Sequence, residues 1–341
     1  MSKVGTSKPR ASVIIVTCND GDNLFNCIES ILEASNDDLE LIIVDQGSTD
    51  KITKIALRFA LIYNKDTKVI TLPHNVGVAL GRNLGAAMAS SEVLYFIDSD
   101  AEVREGWLDP ILCALADSKV GMCQSAVHDG VMGEGPAVIY VIDVYGGVLE
   151  LNGVNCREKF CRIPYATGGG MAVKREVFMK VGMFDPYYFF GYEEADLAFR
   201  VWKAGYSVVL APESKVVHAR RELRRRCLQE HSRYFYMVRG RLTFMLKNYK
   251  LTNLIKYFLP LVVFLFATFL RDLVVGRVGT GSAKLLAVCD LFKNLRYIIR
   301  QRAVTKRVSV VEGDVIDLGL VVNHCSLLHR LAKHVRGIAG G

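Results

Sequence analysis

The chain has 341 residues, of which 51% are hydrophobic and 23% charged, and a formal net charge of +8. That length and polarity suit one large domain plus an appendage, or two modest domains, and exclude global disorder. The positive balance points to an anionic partner: nucleic acid, a membrane surface or a phosphorylated substrate.

Residues 11–17 (ASVIIVT) form a β-branched run that reads as a buried strand, and 40–45 (ELIIVD) and 92–97 (EVLYFI) read the same way. Segments 22–35 and 51–63 carry apolar residues at three- and four-residue spacing and predict helices. A short strand is expected at 69–72 (VITL), then a helix over 76–90 (VGVALGRNLGAAMAS) whose small residues permit close packing. Strand and helix in alternation imply an α/β fold with a mostly parallel, Rossmann-like sheet covered on both faces. The strands end alike, in Thr17-Cys18-Asn19-Asp20, Asp45-Gln46-Gly47-Ser48-Thr49-Asp50 and Asp98-Ser99-Asp100. Each alone is an ordinary helix cap or turn. Three together mark a site, because ligands of open α/β sheets bind beyond the carboxyl ends of the strands.

The second half has another texture. Glycines and aromatics crowd 165–206, and arginines cluster at 220–226. Tyr257 to Leu270 is a run of 14 uncharged residues; reaching 19 residues, at Val275, takes in Arg271 and Asp272. A tilted span, a re-entrant hairpin, an interfacial helix and the core helix of a small C-terminal domain all suit this run. Arg239, Arg241, Lys247, Lys250, Lys256, Arg271, Arg277 and Lys284 flank it as anionic headgroups require, so membrane contact is expected through 250–300. Nucleic acid is not the expected anion, since these cations adjoin the apolar run and do not alternate with base-stacking aromatics. MSKVGTSKPR lacks the apolar stretch of a signal peptide, so the catalytic part is expected on the cytoplasmic face of the cell membrane. The nine cysteines are scattered without a CxxC pair. Cys156 and Cys161, the closest two, have no His-rich companion segment, so free thiols are expected rather than a zinc site.

Two acidic groups carry the chemistry. Asp98-Ser99-Asp100 offers hard oxygen ligands two residues apart after an apolar strand, which suits Mg²⁺ or Mn²⁺ bridging a diphosphate. Gly191-Tyr192-Glu193-Glu194-Ala195-Asp196 opens the helical stretch LAFRVWKAGY. Acidic residues there serve the helix dipole, or else place a carboxylate that deprotonates an acceptor hydroxyl beside the loop Pro186-Tyr187-Tyr188-Phe189-Phe190-Gly191.

In order, the segments SVIIVTCND, ELIIVDQGSTD, HNVGVALGRNLGAA, VLYFIDSDAEV, ATGGGMAVKREVFMKVGMFDPYYFFGYEEADLAFRVWKAGY and VVHAR resemble the family 2 glycosyltransferases of GT-A fold, particularly their rhamnosyl-, galactofuranosyl- and mannosyltransferase-like branch. The resemblance covers about 12–220, nearly two-thirds of the chain. It implies an inverting, metal-assisted transfer from a nucleotide-sugar donor to a glycan or lipid-linked acceptor, in polysaccharide or glycoconjugate synthesis. It implies that Thr17 and Asp45 hold base and ribose with Asn19 nearby, and that Asn75, Gly77 and Arg82 border the nucleotide. Asp98 then faces the ribose side with Ser99 beside it, and Asp100 and His218 ligate the metal, Asp98 being a possible third ligand. Gly168, Gly169 and Gly170 let backbone approach the donor sugar. Asp185, Tyr192 and Glu193 lie on the acceptor side. Glu194 becomes the base, although the family usually has Asp there, with Asp196 as the fallback. Gln46 stands where Asn is common, and TCND replaces a TYNR-like run. The corresponding division is an N-terminal tail 1–10, a catalytic domain 11–220 (nucleotide-binding half 11–105, acceptor-binding half 106–220) and a basic, helical, membrane-associated region 221–341. Two rival readings fit the residues less well. A sugar-phosphate nucleotidyltransferase needs a glycine-rich basic loop after the first strand, which TCNDGDN is not. A non-catalytic, membrane-anchored binding relative predicts erosion of the acidic set, yet Asp98, Asp100, Glu194, Asp196 and His218 are all present.

Overall fold

A run of alternating strands and helices builds the first half of the computed structural model, which describes residues 8–34, 39–64, 66–129, 137–152, 156, 158–218 and 230–322. In chain order these are β1 (Ala11–Thr17), α1 (Gly21–Glu33), β2 (Leu39–Asp45), α2 (Lys51–Tyr63), β3 (Thr67–Thr71), α3 (Val78–Met88) and β4 (Val93–Asp98). The boundaries match the apolar runs, with α2 started by Asp50, whose carboxylate accepts from Thr53 N at 2.6 Å. The helix expected from 76 begins two residues later, because Gly77 sits at φ 90° and turns the chain.

Strands β3, β2, β1 and β4 lie side by side and parallel. After them come β5 (Ala101–Val103), α4 (Leu108–Ala116), β6 (Val120–Asp129), β7 (Ala137–Asp143), β8 (Val148–Asn152), β9 (Cys161–Arg162) and β10 (Met171–Lys174). The chain continues through α5 (Arg175–Lys180), α6 (Glu193–Lys203) and β11 (Ser207–His218). Here the parallel order breaks: β10 runs antiparallel between β4 and β6. Strand β11 is parallel to β6 but shifts register between Ala211 and Lys215, which bends its end toward β5.

Side chains alternate across the sheet as the period of two requires. Val13, Ile15, Leu41 and Ile43 join Leu24, Ile28, Ala56 and Trp107 on one face. Ile14, Ile42 and Phe96 join Ala79, Phe178, Leu197 and Val201 on the other.

The region after 230 is not a detached appendage. Helix α7 (Glu230–Asn248) puts Leu242, Phe244 and Met245, with Tyr249 just beyond it, into the second of these cores. Helices Leu251–Val274, Val278–Lys293 and Leu295–Val308 follow, and β12 (Val321–Val322) pairs in parallel with β7. Leu251–Val274, which includes a π-turn at Leu254–Phe258, is long and apolar enough to cross a membrane by length and composition.

Two expectations are corrected. Cys156 and Cys161 form a disulfide, their Cα atoms 5.9 Å apart, so these thiols are not free; Cys27, Cys113, Cys123 and Cys289 are. Several cations assigned to headgroups turn inward instead: Arg239, Lys247 and Lys284 are buried, and Arg241 donates to Tyr145 O at 2.7 Å. They do so because buried carboxylates and carbonyls await them, a stronger demand than exposed lipid contact. The arginine cluster 220–226 lies outside the described residues.

Candidate active site

Register brings the three strand ends together. Thr17 of β1 pairs with Asp45 of β2, and Val16 pairs with Asp98 of β4, so the three polar residues line one carboxyl edge. The bend in β11 then sets His218 opposite Ala101, directly beside Asp100. His218 Nε2 lies 3.3 Å from Asp100 Oδ1 and 3.8 Å from Asp98 Oδ2. One ligating atom from each of the three residues falls within 4.8 Å of the others. Two carboxylates and one imidazole are a donor set for Mg²⁺ or Mn²⁺, oxygen-rich with a single nitrogen.

Arg82 organises the acidic side. Its guanidinium is 3% exposed and donates to Asp98 Oδ1 at 2.8 Å, Glu194 Oε1 at 3.0 Å and Glu193 Oε1 at 3.3 Å. Those carboxylates hold it firmly protonated, with its pKa raised despite burial. Arg82, expected to border the nucleotide, links Asp98 to the acidic pair. Gly168 N donates to Glu194 Oε1 at 2.6 Å. A Cβ at Gly168 would stand 1.7 Å from Arg82 Nη2, so only glycine admits this arrangement.

The two glutamates differ in environment. Glu193 is buried, and desolvation together with the Glu194 charge raises its pKa to about 8. Glu194 is raised as well, first by desolvation and then by Asp98, against the opposing pull of Arg82. Its side chain keeps 19% of its surface exposed, and both of its bonds go to Oε1. Oε2 is therefore the oxygen available to an incoming hydroxyl.

Asp196 is elsewhere in the network. It bonds Lys247 (2.9 Å), Arg200 (3.0 Å), Asn248 (3.2 Å) and Tyr188 Oη (3.2 Å), and these cations draw its pKa down to about 2 in spite of burial. A fully buried, cation-locked carboxylate is a poor proton acceptor. Asp185 caps the turn Pro186–Tyr188 and is held by Lys247 Nζ and Tyr297 Oη, each at 2.6 Å. Tyr192 takes φ 71° and donates to Gly146 O at 2.7 Å.

A cleft of about 160 Å³ opens beside this cluster, lined by Thr17, Cys18, Gln46, Asn75, Ser99 and Phe189 among others. The Thr17 hydroxyl is buried there without a hydrogen-bond partner. Asn19, at φ 51°, ties two loops by accepting from Thr49 N at 2.7 Å. Asp45 accepts from Ser48 N at 3.0 Å, and Asn75 from Gly77 N at 2.8 Å. Ser99 donates to Asp20 at 2.8 Å. Gly77 abuts Phe189, where a Cβ would meet the carbonyl oxygen at 2.7 Å. Gly169 faces His218, and Gly170 faces the Tyr95–Ser125 pair. A larger cavity of about 620 Å³ near Arg10 and Trp107 contains none of these residues.

Sequence reasoning missed two participants. Gln46 accepts from Val76 N at 2.9 Å and so fixes the approach to Gly77; its place after the Asp45 strand end was the available signal. Lys247, read as lipid-facing, is the shared cation of Asp185 and Asp196, and a lone Lys within an apolar helix face was its only mark.

A Rossmann-like sheet, with an Asp-x-Asp after its fourth strand facing a late histidine, is the arrangement of the GT-A fold. Residues 12–182 match the model of glycosyl transferase family 2, and the chain belongs to that family. Its site carries an Asp-rich group, Asp98, Asp100 and His218, that could hold a metal ion. N-acetylgalactosaminyltransferase 7 of Drosophila melanogaster is 30% identical over 235 residues, covering 62% of this chain and 40% of that protein. The chain thus spans about two-fifths of that relative's length. The crystal structure of GalNAc-T7 with UDP, GalNAc and Mn²⁺ superposes with a TM-score of 0.61 at 20% identity, over 72% of this chain and 49% of that one. The mannosyltransferase PcManGT from Pyrobaculum calidifontis, in complex with GDP-Man and Mn²⁺, gives a TM-score of 0.50 at 18% identity, over 89% and 86%. Those two likenesses speak to fold. The sequence relative is a GalNAc-transferase, outside the rhamnosyl-, galactofuranosyl- and mannosyltransferase branch that the motifs resemble.

Proposed function

We propose that the protein transfers a sugar, with inversion, from a uridine-diphosphate sugar of the N-acetylhexosamine class to a hydroxyl of a lipid-linked glycan at the cytoplasmic face of a membrane. The donor class is suggested by the GalNAc-transferase relative, and the acceptor by the apolar helix Leu251–Val274, whose following helices bond the acceptor-side loop through Asp290 and Tyr297. One observation carries the reading: Arg82 joins the metal carboxylate Asp98 to Glu194 next to a cleft that holds the unpartnered Thr17 hydroxyl.

Thr17 and Asp45 bind the nucleoside, and Asn75 and Gly77 border it. Asp100, His218 and Asp98 would hold a divalent ion, which would supply positive charge to offset the negative charge developing on the leaving diphosphate. Glu194 Oε2 takes the acceptor's proton as that oxygen attacks the anomeric carbon and the carbon–diphosphate bond breaks. Gly168 N and Arg82 hold Oε1 so that Oε2 faces the acceptor. A base so placed contributes about 10²–10⁴-fold. Asp196 and Asp185 shape the acceptor-side loop and do not exchange protons with substrate.

The test is hydrolysis of a nucleotide-sugar panel headed by UDP-N-acetylgalactosamine, with Mn²⁺, Mg²⁺ or EDTA. Metal-dependent release of one nucleoside diphosphate, abolished in Asp100→Ala, supports the reading and names the donor. Absence of nucleotide binding by calorimetry would refute it. With an acceptor in hand, the anomeric proton coupling of the product tests inversion.

A further inference from the structure

Charge is distributed unevenly along this chain. Residues 251–308 hold ten lysines and arginines against Asp272 and Asp290 alone, so the whole net charge of +8 resides there and the remainder of the chain is balanced. Both acidic residues are neutralised internally: Asp272 pairs with Lys284 at 2.7 Å, and Asp290 accepts from Tyr187 Oη at 2.7 Å and faces Arg239 at 3.4 Å. Lys256, Arg277, Lys293, Arg296 and Arg300 are exposed.

The same segment exposes an apolar stripe. Leu259, Val263, Phe266, Leu270 and Val274, spaced by three and four residues along Leu251–Val274, are between 47% and 90% exposed. Leu285, Leu286 and Phe292 are exposed on the following helix. The opposite stripe of Leu251–Val274, at Leu261, Leu265 and Asp272, is buried against the protein. The helix therefore runs along the body of the molecule and offers only one side outward. The whole helix has the length to cross, but its uncharged run of 14 residues, between Lys256 and Arg271, is about 21 Å long against the roughly 30 Å of a bilayer core, so a span would draw charged residues into hydrocarbon. Crossing would also carry the buried Asp272–Lys284 pair toward hydrocarbon.

We propose that Leu251–Val274 lies in the plane of an anionic phospholipid surface, its Leu259–Val274 stripe in the headgroup–acyl boundary and the surrounding cations on the headgroups, without spanning the bilayer. An apolar face fringed by cations is the pattern of interfacial helices, and their affinity adds buried apolar area to attraction for anionic lipid. This deepens the membrane part of the function proposed above. It also gives the attachment a consequence, because the supporting helices hold the acceptor-side loop: Tyr297 bonds Asp185, Asp290 bonds Tyr187, and Phe189 O receives Val78 N at 2.8 Å beside the nucleotide cleft. Seating the helix sets the open side of the site at a fixed height above the bilayer, where a lipid-linked hydroxyl is presented.

The experiment is flotation of the full-length protein with preformed vesicles of phosphatidylcholine alone or mixed with phosphatidylglycerol, for wild type and Val263→Asp/Phe266→Asp. Both positions are exposed, so the double variant should fold, and its thermal melt and donor hydrolysis in solution verify that independently. Expected are flotation with the anionic vesicles only, loss of binding as salt rises from about 0.1 M to about 1 M, and roughly tenfold weaker partitioning of the double variant. Single cysteines at Thr252 and Gly276, on a background lacking the other exposed cysteines, report topology. Labelling of both from outside by a membrane-impermeant maleimide supports the in-plane seat, and protection of one overturns it in favour of a span. No flotation, or flotation indifferent to the double substitution, overturns the seat. So does a dimer in light scattering that the substitutions dissolve, since the face then belongs to a second copy. Donor hydrolysis is read separately, so failure of the seat is distinguishable from failure of the transferase reading.

Discussion

Glu194 and Glu193 are adjacent in sequence, yet only Glu194 keeps an appreciable part of its side chain exposed. Glu194→Gln keeps the shape and the Gly168 contact while removing the base, so kcat should fall by about 10²–10⁴-fold with little change in donor affinity. Steady-state kinetics alongside calorimetry checks this; an equal loss in Kd would mean that Glu194 binds the donor rather than the acceptor proton. Gly168→Ala is the sharper test of the architecture. Its methyl would collide with Arg82, so both the melting temperature and the activity should drop, whereas Gly106→Ala, where a Cβ meets nothing within 4 Å, should cost far less despite its φ of 75°. The acidic pair also predicts a pH response of the metal-free protein. The Glu193 pKa is raised to about 8, so its stabilising contribution is complete below its ordinary value near 4.5 and is lost as pH rises through about 8. Melting curves in EDTA should therefore fall over that window, and Glu193→Gln should flatten them. Asp196 has the opposite sign: with its pKa near 2, its contribution is present above 3.8 and is lost only as pH falls through about 2.

Among the elements, α6 and α7 are joined by a buried charge cluster. Lys247 reaches Asp185 at the head of the acceptor-side turn and Asp196 in the first turn of α6, while Arg200 pairs with Asp196 one helical turn on. Removing the shared cation strands two buried carboxylates. Lys247→Met should cost about 3–5 kcal/mol by chemical denaturation. It should also raise the Asp196 pKa, visible as a shift of the acid unfolding limb to higher pH. The parallel strands and their helices were legible at this scale, because apolar runs of six or seven residues bounded by polar caps have few other uses. The antiparallel β10 was not. Met171–Lys174 is a short segment whose partners, β4 and β6, lie far off in sequence, so no local pattern announced its direction. The cations of α7 misled for a related reason: a lysine looks the same in sequence whether it meets a headgroup or a buried aspartate.

At the scale of the molecule, the C-terminal helices are structural as well as peripheral. Leu242, Phe244, Met245 and Tyr249 are buried in a core shared with Phe96, Phe178 and Leu197. A chain ending at residue 229 should expose that core and lose cooperative folding, which soluble yield and a thermal melt would reveal; a stable, active truncation would show that the catalytic part stands alone. Composition and apolar spacing were enough to establish an α/β sheet with acidic strand ends, and motif order its family, since those features follow from residue type and order along the chain. Which glutamate stays partly exposed, that Arg82 braces the acids, that Cys156 meets Cys161, and that Leu251–Val274 buries one side on the protein were settled only in three dimensions. Burial, charge pairing and direction depend on neighbours tens to hundreds of residues away, and strand register and helix packing choose those neighbours.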